Sequence, residues 1–362
     1  MLWYFLKKID WALMVSVLML SVIGLLSLYP TVYGKDASIF YKQLIFVICG
    51  LFLILFFAFL DYRIFRNHPF FLLILYFFSI LLLAGVLFFG SKIRGATSWF
   101  KFGPLSFEPV EFAKLIIILI LAEYYSLRHI ELYRIRHIVV SGIYMFVPVA
   151  LVFFQPDFGS AMVLIFLWLG IMIIAGIKLR QLLVLFLIGA ILFGVAWFAI
   201  LKPYQKERIT TFINPYLDPL GSGYHRIQSM IAIGSGGLLG RGLGHGSQSQ
   251  LSFLPDRYTD FIFASIAEEM GFVGVALIFV FYFLLFFRII KISMEAPNNF
   301  SRLFCVGACI VFIFHIIVNV GMNLGIMPIA GISLPFISSG GSNLLLGFVT
   351  IGIIQSIAVR NK

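Results

Sequence analysis

Asp260 stands where a polar stretch turns apolar, in the run Leu-Pro-Asp-Arg-Tyr-Thr-Asp-Phe-Ile-Phe-Ala at 254–264. A carboxylate at the mouth of an apolar helix is partly dehydrated, which suits a general base or a ligand for a divalent cation. Thr259 is expected to cap that helix, with Asp260 in its first turn, where the helix dipole favours a carboxylate even without chemistry. Glu268 and Glu269 lie deeper in the same apolar run, and adjacent residues on a helix point in different directions.

A second constellation is Pro109-Val-Glu111-Phe-Ala-Lys114. Proline suits a first helical turn, and residues three apart share a helix face, so Glu111 and Lys114 are expected to pair. Ionisable residues inside a membrane span are expensive and point to function by default. A buried structural pair is the alternative. Gln155-Pro-Asp157-Phe-Gly joins two apolar runs, and there Asp157 either caps the next helix or faces a cavity. The segment 94–101 offers Arg94, Trp99 and Lys101, read as a phosphate clamp or as an interfacial aromatic anchor with flanking bases. Between 202 and 258 come Arg208, Gln228, Ser229 and a glycine-rich run at 234–246. Those glycines either bring backbone N–H groups close to an anion or simply loosen the loop. His315, alone in an apolar run, reads as a packed polar residue.

The positioning elements follow from composition. Of 362 residues 62% are hydrophobic and 11% charged, and mean hydropathy is +1.07. A soluble domain carries about 25% charged residues, so this chain reads as an all-α polytopic membrane protein. The net charge of +11 sits in short clusters between apolar runs, which argues against nucleic acid as a partner. Ten spans are expected near 11–29, 43–60, 69–90, 109–126, 138–154, 160–177, 182–201, 259–287, 302–325 and 341–358, forming one membrane domain over 1–362. The connection at 202–258 is much longer than the others, and long loops tend to be functional. With both termini in the cytoplasm, every short inner loop is basic, as the positive-inside rule requires. Two thirds of the acidic residues then fall on the outer side, so chemistry is expected there. Pro and Gly interrupt helix at 325–341, and irregular backbone at membrane depth must be buried or line a cavity.

These segments resemble the SEDS family of bacterial cell-wall proteins, RodA, FtsW and SpoVE, over nearly the whole chain. The resemblance rests on Arg-Gly-Ala…Trp at 94–99, Pro-x-Glu-x-x-Lys at 109–114 and Gln-Pro-Asp-x-Gly at 155–159. It continues through Arg-Ile…Phe…Asn-Pro at 208–215, Ser-Gly-Gly-x-x-Gly-x-Gly-x-Gly at 235–244 and Leu-Pro…Thr-Asp-Phe-Ile-Phe at 254–263. It ends on Asn-x-Gly-Met…Leu-Pro-Phe…Ser-x-Gly-Gly-Ser at 319–342. The run 326–331 looks most like the RodA branch. Glu108, His225 and Ser339 depart from the family's usual Gln, Gln and Tyr.

The resemblance implies a peptidoglycan glycosyltransferase that polymerises lipid II into glycan strands at the outer face of the cytoplasmic membrane during cell elongation. A lipid II flippase is the alternative. It implies a class B penicillin-binding protein as partner, alongside membrane lipids and the growing strand. Asp260 matches the family's essential carboxylate; Glu111, Lys114 and Asp157 match further important positions. Asp260 would be the base, or would hold a divalent cation, Mg or Mn. Arg94, Lys101, Lys114 and Arg208 are candidates to offset the charge of the leaving pyrophosphate.

Overall fold

The computed structural model describes residues 7–33, 37–93, 96–103, 105–127, 135–199, 223–251 and 253–361. Helices occupy all ten apolar stretches: α1 (Trp11–Leu28), α2 (Ala37–Phe59), α3 (Pro69–Phe89), α4 (Pro109–Ser126), α5 (Ile135–Phe154), α6 (Phe158–Ala175) and α7 (Leu179–Ala199) come first. Then follow α8 (Tyr224–Gly236), which is not one of the ten, α9 (Ile262–Glu295), α10 (Asn299–Asn323) and α11 (Gly341–Asn361). Among the described residues, eight of these helices are long and apolar enough to cross a membrane; α4, with its charges, and α7 are the other two.

Local chemistry sets the helix starts. Asp10 caps α1 by accepting from Leu13 N at 3.0 Å, and Asp157 caps α6 by accepting from Ser160 N at 3.1 Å. Asn298 caps α10 through Ser301 N at 2.9 Å, and Pro69 and Pro109 open α3 and α4. Each satisfies, or removes, an N–H that the first turn leaves without a partner.

The bundle is built around α4 and α10. α4 packs against α3, α10, α6 and α11, and almost all of its residues are buried. A helix that is apolar all round belongs in such a centre. α2 pairs with α11, and α1 with α9. Gly50 and Gly352 permit the α2–α11 approach, because a Cβ there would meet Phe348 at 1.9 Å or Phe57 at 2.7 Å. α7 lies at the margin, with Phe186, Ile191 and Phe198 exposed. At the far end, Arg288 pairs with Asp10, whose N–H and carbonyl both bond Gln355, locking α1, α9 and α11 together.

Three features depart from the sequence reading. First, 91–107 forms a small antiparallel sheet, β1 (Ser91–Ile93), β2 (Ala96–Phe102) and β3 (Leu105–Phe107), that packs on α3 and α4. Second, the long connection is partly helical, since α8 lies against α9 and α10. Third, α9 is broken at Gly271 (φ 64°, ψ −161°). The break frees backbone groups, and the glycine-rich run takes them up. Phe272 N and Val273 N donate to Gly237 O and Leu238 O at 2.9 and 3.1 Å. Arg241 N and Gly242 N donate to Glu268 O and Glu269 O, both at 3.0 Å. Gly240 (φ 79°) admits this approach, for a Cβ there would lie 2.2 Å from Glu269 O. The glycines at 237–242 therefore serve a broken helix. Irregular backbone inside an apolar bundle is tolerated once its polar groups are met in this way.

Candidate functional site

Asp260 lies just ahead of α9, in a turn held from α10. Asn319 and Asn323, one helical turn apart, each donate Nδ2 to Asp260 O at 3.0 Å. The same Asn323 accepts from Ala264 N at 3.2 Å through Oδ1, and Asn319 also donates to Ile332 O at 2.7 Å. Thr259 is not the helix cap: Phe261 holds that position, and the first-turn N–H finds Asn323 instead. Ser338 Oγ donates to Thr259 O at 2.7 Å and Ser339 N to Tyr258 O at 2.8 Å. The turn at 258–260 is thus clamped on both sides. Asp260 is 9% exposed, and a Cβ built on Gly331 (φ 67°) would come 3.9 Å from its Oδ2. The carboxylate therefore faces the irregular segment between α10 and α11.

Glu111 and Lys114 pair as their spacing predicts, Nζ to Oε1 at 2.8 Å, and both are nearly buried. Nζ also lies 3.1 Å from His315 Nε2, and His315 Nδ1 lies 3.2 Å from Ser333 O. Asn343 Nδ2 bonds Ser333 Oγ. Glu111, Lys114, His315 and Asn343 head a narrow cleft of about 30 Å³ between α4, α10 and α11 that runs past Ile118 and Val311 to Thr350. The start of α4 is fixed to the start of α11, because Glu108 N donates to Ser342 Oγ at 3.0 Å.

Electrostatics ties the cluster together. Burial holds the Glu108 carboxyl well above its usual range, and repulsion from Glu111, Asp157 and Asp260 adds to it while Lys114 opposes. Asp157 is also raised, first by burial, against hydrogen bonds from Ser160 and the attraction of Lys114. Among the described residues, the carboxyls of Glu108, Glu111, Asp157 and Asp260 and the Lys114 ammonium interact in one cluster. A mutually repelling carboxylate set of this kind favours retention of a proton on at least one member.

The structure gathers Asp260, Glu111, Lys114 and Asp157. Trp99, half-buried, and Lys101, exposed, sit on β2 and outside this cluster. Ser229 is fully buried on α8, its hydroxyl donating to Asn323 O at 2.8 Å, and the adjacent Gln228 is half-buried. Arg94 and Arg208 lie outside the described residues. Sequence reasoning missed the part played by His315, Asn319, Asn323 and Ser333. The polar side chains within an apolar run were the available signal. It also passed over Arg257, stacked 4.6 Å over the Tyr258 ring, whose buried Nη1 meets no hydrogen-bond acceptor among the described residues. Among the described residues no set of three His, Cys, Asp or Glu side chains is placed to hold a metal.

Comparison with known proteins agrees with this architecture. MrdB of Escherichia coli strain K12, a peptidoglycan glycosyltransferase, is 36% identical over 330 residues, covering 91% of this chain and 88% of the relative. A chain of a solved peptidoglycan synthase complex, described as coordinating polymerization and crosslinking, superposes with a TM-score of 0.83 at 35% identity, covering 98% of both chains. RodA of Thermus thermophilus superposes with a TM-score of 0.72 at 31% identity, covering 97% of this chain and 96% of that one. The model of the FtsW/RodA/SpoVE family, described as cell cycle protein, matches residues 6–362, and the chain belongs to that family.

Proposed function

We propose that this multi-pass membrane protein is a peptidoglycan glycosyltransferase that polymerises lipid II with Asp260 as its general base. The observation that carries the reading is the placement of Asp260: its backbone is clamped by Asn319 and Asn323 while its carboxylate faces Gly331, two residues before Ser333, whose carbonyl meets the His315 ring that contacts Lys114. A base must be rigidly aimed and partly dehydrated, and this turn provides both.

In the proposed step the acceptor sugar hydroxyl attacks the anomeric carbon of the donor. A new C–O bond forms as the bond to the lipid pyrophosphate breaks, with inversion. The bonding electrons leave on the pyrophosphate oxygen, and the hydroxyl proton passes to Asp260. Lys114 offsets the leaving charge, with Arg94 and Arg208 as further candidate cations. Gln228 and Asp157 are the remaining candidate substrate contacts. Buried Ser229 instead supports Asn323, and Trp99 and Lys101 stand apart on β2. In the alternative role Asp260 would hold a divalent cation, Mg or Mn, which would supply charge stabilisation to the leaving pyrophosphate. A lone carboxylate is enough for Mg²⁺, which needs only one or two from the protein.

The reading includes ten spans, both termini in the cytoplasm, and the 202–258 connection at the outer face. It also includes a crosslinking penicillin-binding partner, in line with the synthase complex that this chain resembles. A flippase is the disfavoured alternative. The test is polymer formation from detergent-solubilised lipid II, with the partner present. Asp260→Asn should lose about 10²- to 10⁴-fold, the usual contribution of a general base. Wild-type polymer abolished by chelator would assign Asp260 to a cation. Polymer retained by Asp260→Asn would overturn the reading.

A further inference from the structure

His315 and Lys114 form a contact whose proton positions can be derived. An ammonium carries three N–H donors and has no acceptor. At 3.1 Å from Lys114 Nζ, His315 Nε2 must therefore accept. The ring proton is then on Nδ1, which donates to Ser333 O at 3.2 Å. Only the neutral Nδ1–H tautomer makes both bonds, since an imidazolium would set a second positive charge and a donor against the ammonium. His315 is 2% exposed, so neither bond can be replaced by bulk water.

The contact extends beyond Lys114. His315 and Asn319 lie one turn apart on α10 and take consecutive carbonyls, Ser333 O and Ile332 O. Those two residues follow Gly331, which the Asp260 carboxylate faces. Asn319 also holds Asp260 O. One face of α10 thus fixes the base, the segment opposite the base, and the buried cation.

We propose that His315 is a positioning residue that fixes the Lys114 ammonium relative to the 331–333 segment and Asp260. This rests on the glycosyltransferase reading, in which Lys114 meets the leaving pyrophosphate. The imidazole holds the cation at a set distance from the base, and an aliphatic side chain of similar size would leave Nζ bound to Glu111 alone.

The experiment compares His315→Leu, which removes the acceptor, with His315→Gln, whose Oε1 falls near the Nε2 position. In polymerisation with the partner present, His315→Leu should lower kcat about tenfold to hundredfold at unchanged KM, the size of a lost hydrogen bond to a charged group. His315→Gln should stay within about threefold of wild type, because the acceptor is restored. Equal losses in the two variants would overturn the proposal. Thermal unfolding tests the contact without lipid II, so wild type failing to polymerise, which would sink the glycosyltransferase reading, leaves this test in place. His315→Leu should lower the midpoint clearly more in the wild-type background than in Lys114→Met, where only the bond to Ser333 O is lost. Equal shifts in both backgrounds would show that His315 does not act through Lys114.

Discussion

Glu111 on α4 and Glu268 on α9 are both buried in apolar helices, yet their oxygens meet different surroundings. Glu268 accepts from Gln248 N at 2.8 Å, Ser249 N at 2.9 Å and Ser249 Oγ at 2.5 Å, all from the helical turn Ser247–Gln250. It is a fastener that holds the connection onto α9 next to the break at Gly271. Glu111 instead meets an ammonium that is shared with His315 at the head of a cleft. Burial alone does not separate structural from functional carboxylates. The partners do: fixed backbone donors saturate a carboxylate, whereas a shared ammonium leaves charge beside open space.

The comparison predicts opposite phenotypes. Glu268→Ala leaves buried donors at 248 and 249 unmet, each costing about 1–3 kcal/mol. Its unfolding midpoint should fall by roughly 10 °C in a thermal scan. The double variant Glu111→Gln/Lys114→Met replaces an ion pair by neutral groups of similar shape, an exchange that is often neutral for stability. Its midpoint should stay within a few degrees while polymerisation falls at least about a hundredfold, from loss of a cation at the leaving group. If the two variants exchanged phenotypes, the assignment of fastener and functional pair would be reversed.

A smaller effect tests the fastener from its other side. Gly236 ends α8 against α9, where a Cβ would stand 1.9 Å from Ala267 O. Gly236→Ala forces the two backbones apart and should destabilise by about 1–3 kcal/mol, as overpacking does. Combined with Glu268→Ala it should add less than its full cost, because both loosen one contact region. Full additivity, measured by midpoints, would separate α8 from the loop clamp.

What the sequence revealed was what local pattern controls. The apolar stretches, the Asp157 cap and the Glu111–Lys114 pair depend on neighbours a few residues away, and all three appear in the structure. The sheet at 91–107 was hidden because short strands rich in aromatic residues look like an interfacial anchor. α8 was hidden by the flanking Gly, Ser and Pro turn signals. The cap of α9 was misassigned to Thr259, because its actual acceptor, Asn323, is 59 residues away. His315 looked like packing because its partner Lys114 is 201 residues away. Of the candidate site, the carboxylates and the lysine could be read in advance; the amide and imidazole groups that aim them are long-range contacts.

Glu108 gives the smallest and most specific prediction. It precedes α4, its backbone N–H held by Ser342 while its carboxyl is repelled by Glu111, Asp157 and Asp260. Burial and that repulsion raise its pKa well above 4.5, so the folded protein keeps a proton that the unfolded chain releases near its ordinary value. Stability from this group is therefore complete below about pH 4.5 and declines as pH rises toward the raised value, beyond which the loss is constant. Glu108→Gln is neutral at every pH and removes this dependence. Its midpoint should match wild type in acid and rise above it as pH increases, by a few degrees at most. A midpoint gap that stays flat with pH would mean that Glu108 ionises without penalty, and that the α4 side of the comparison carries less uncompensated negative charge than its geometry implies.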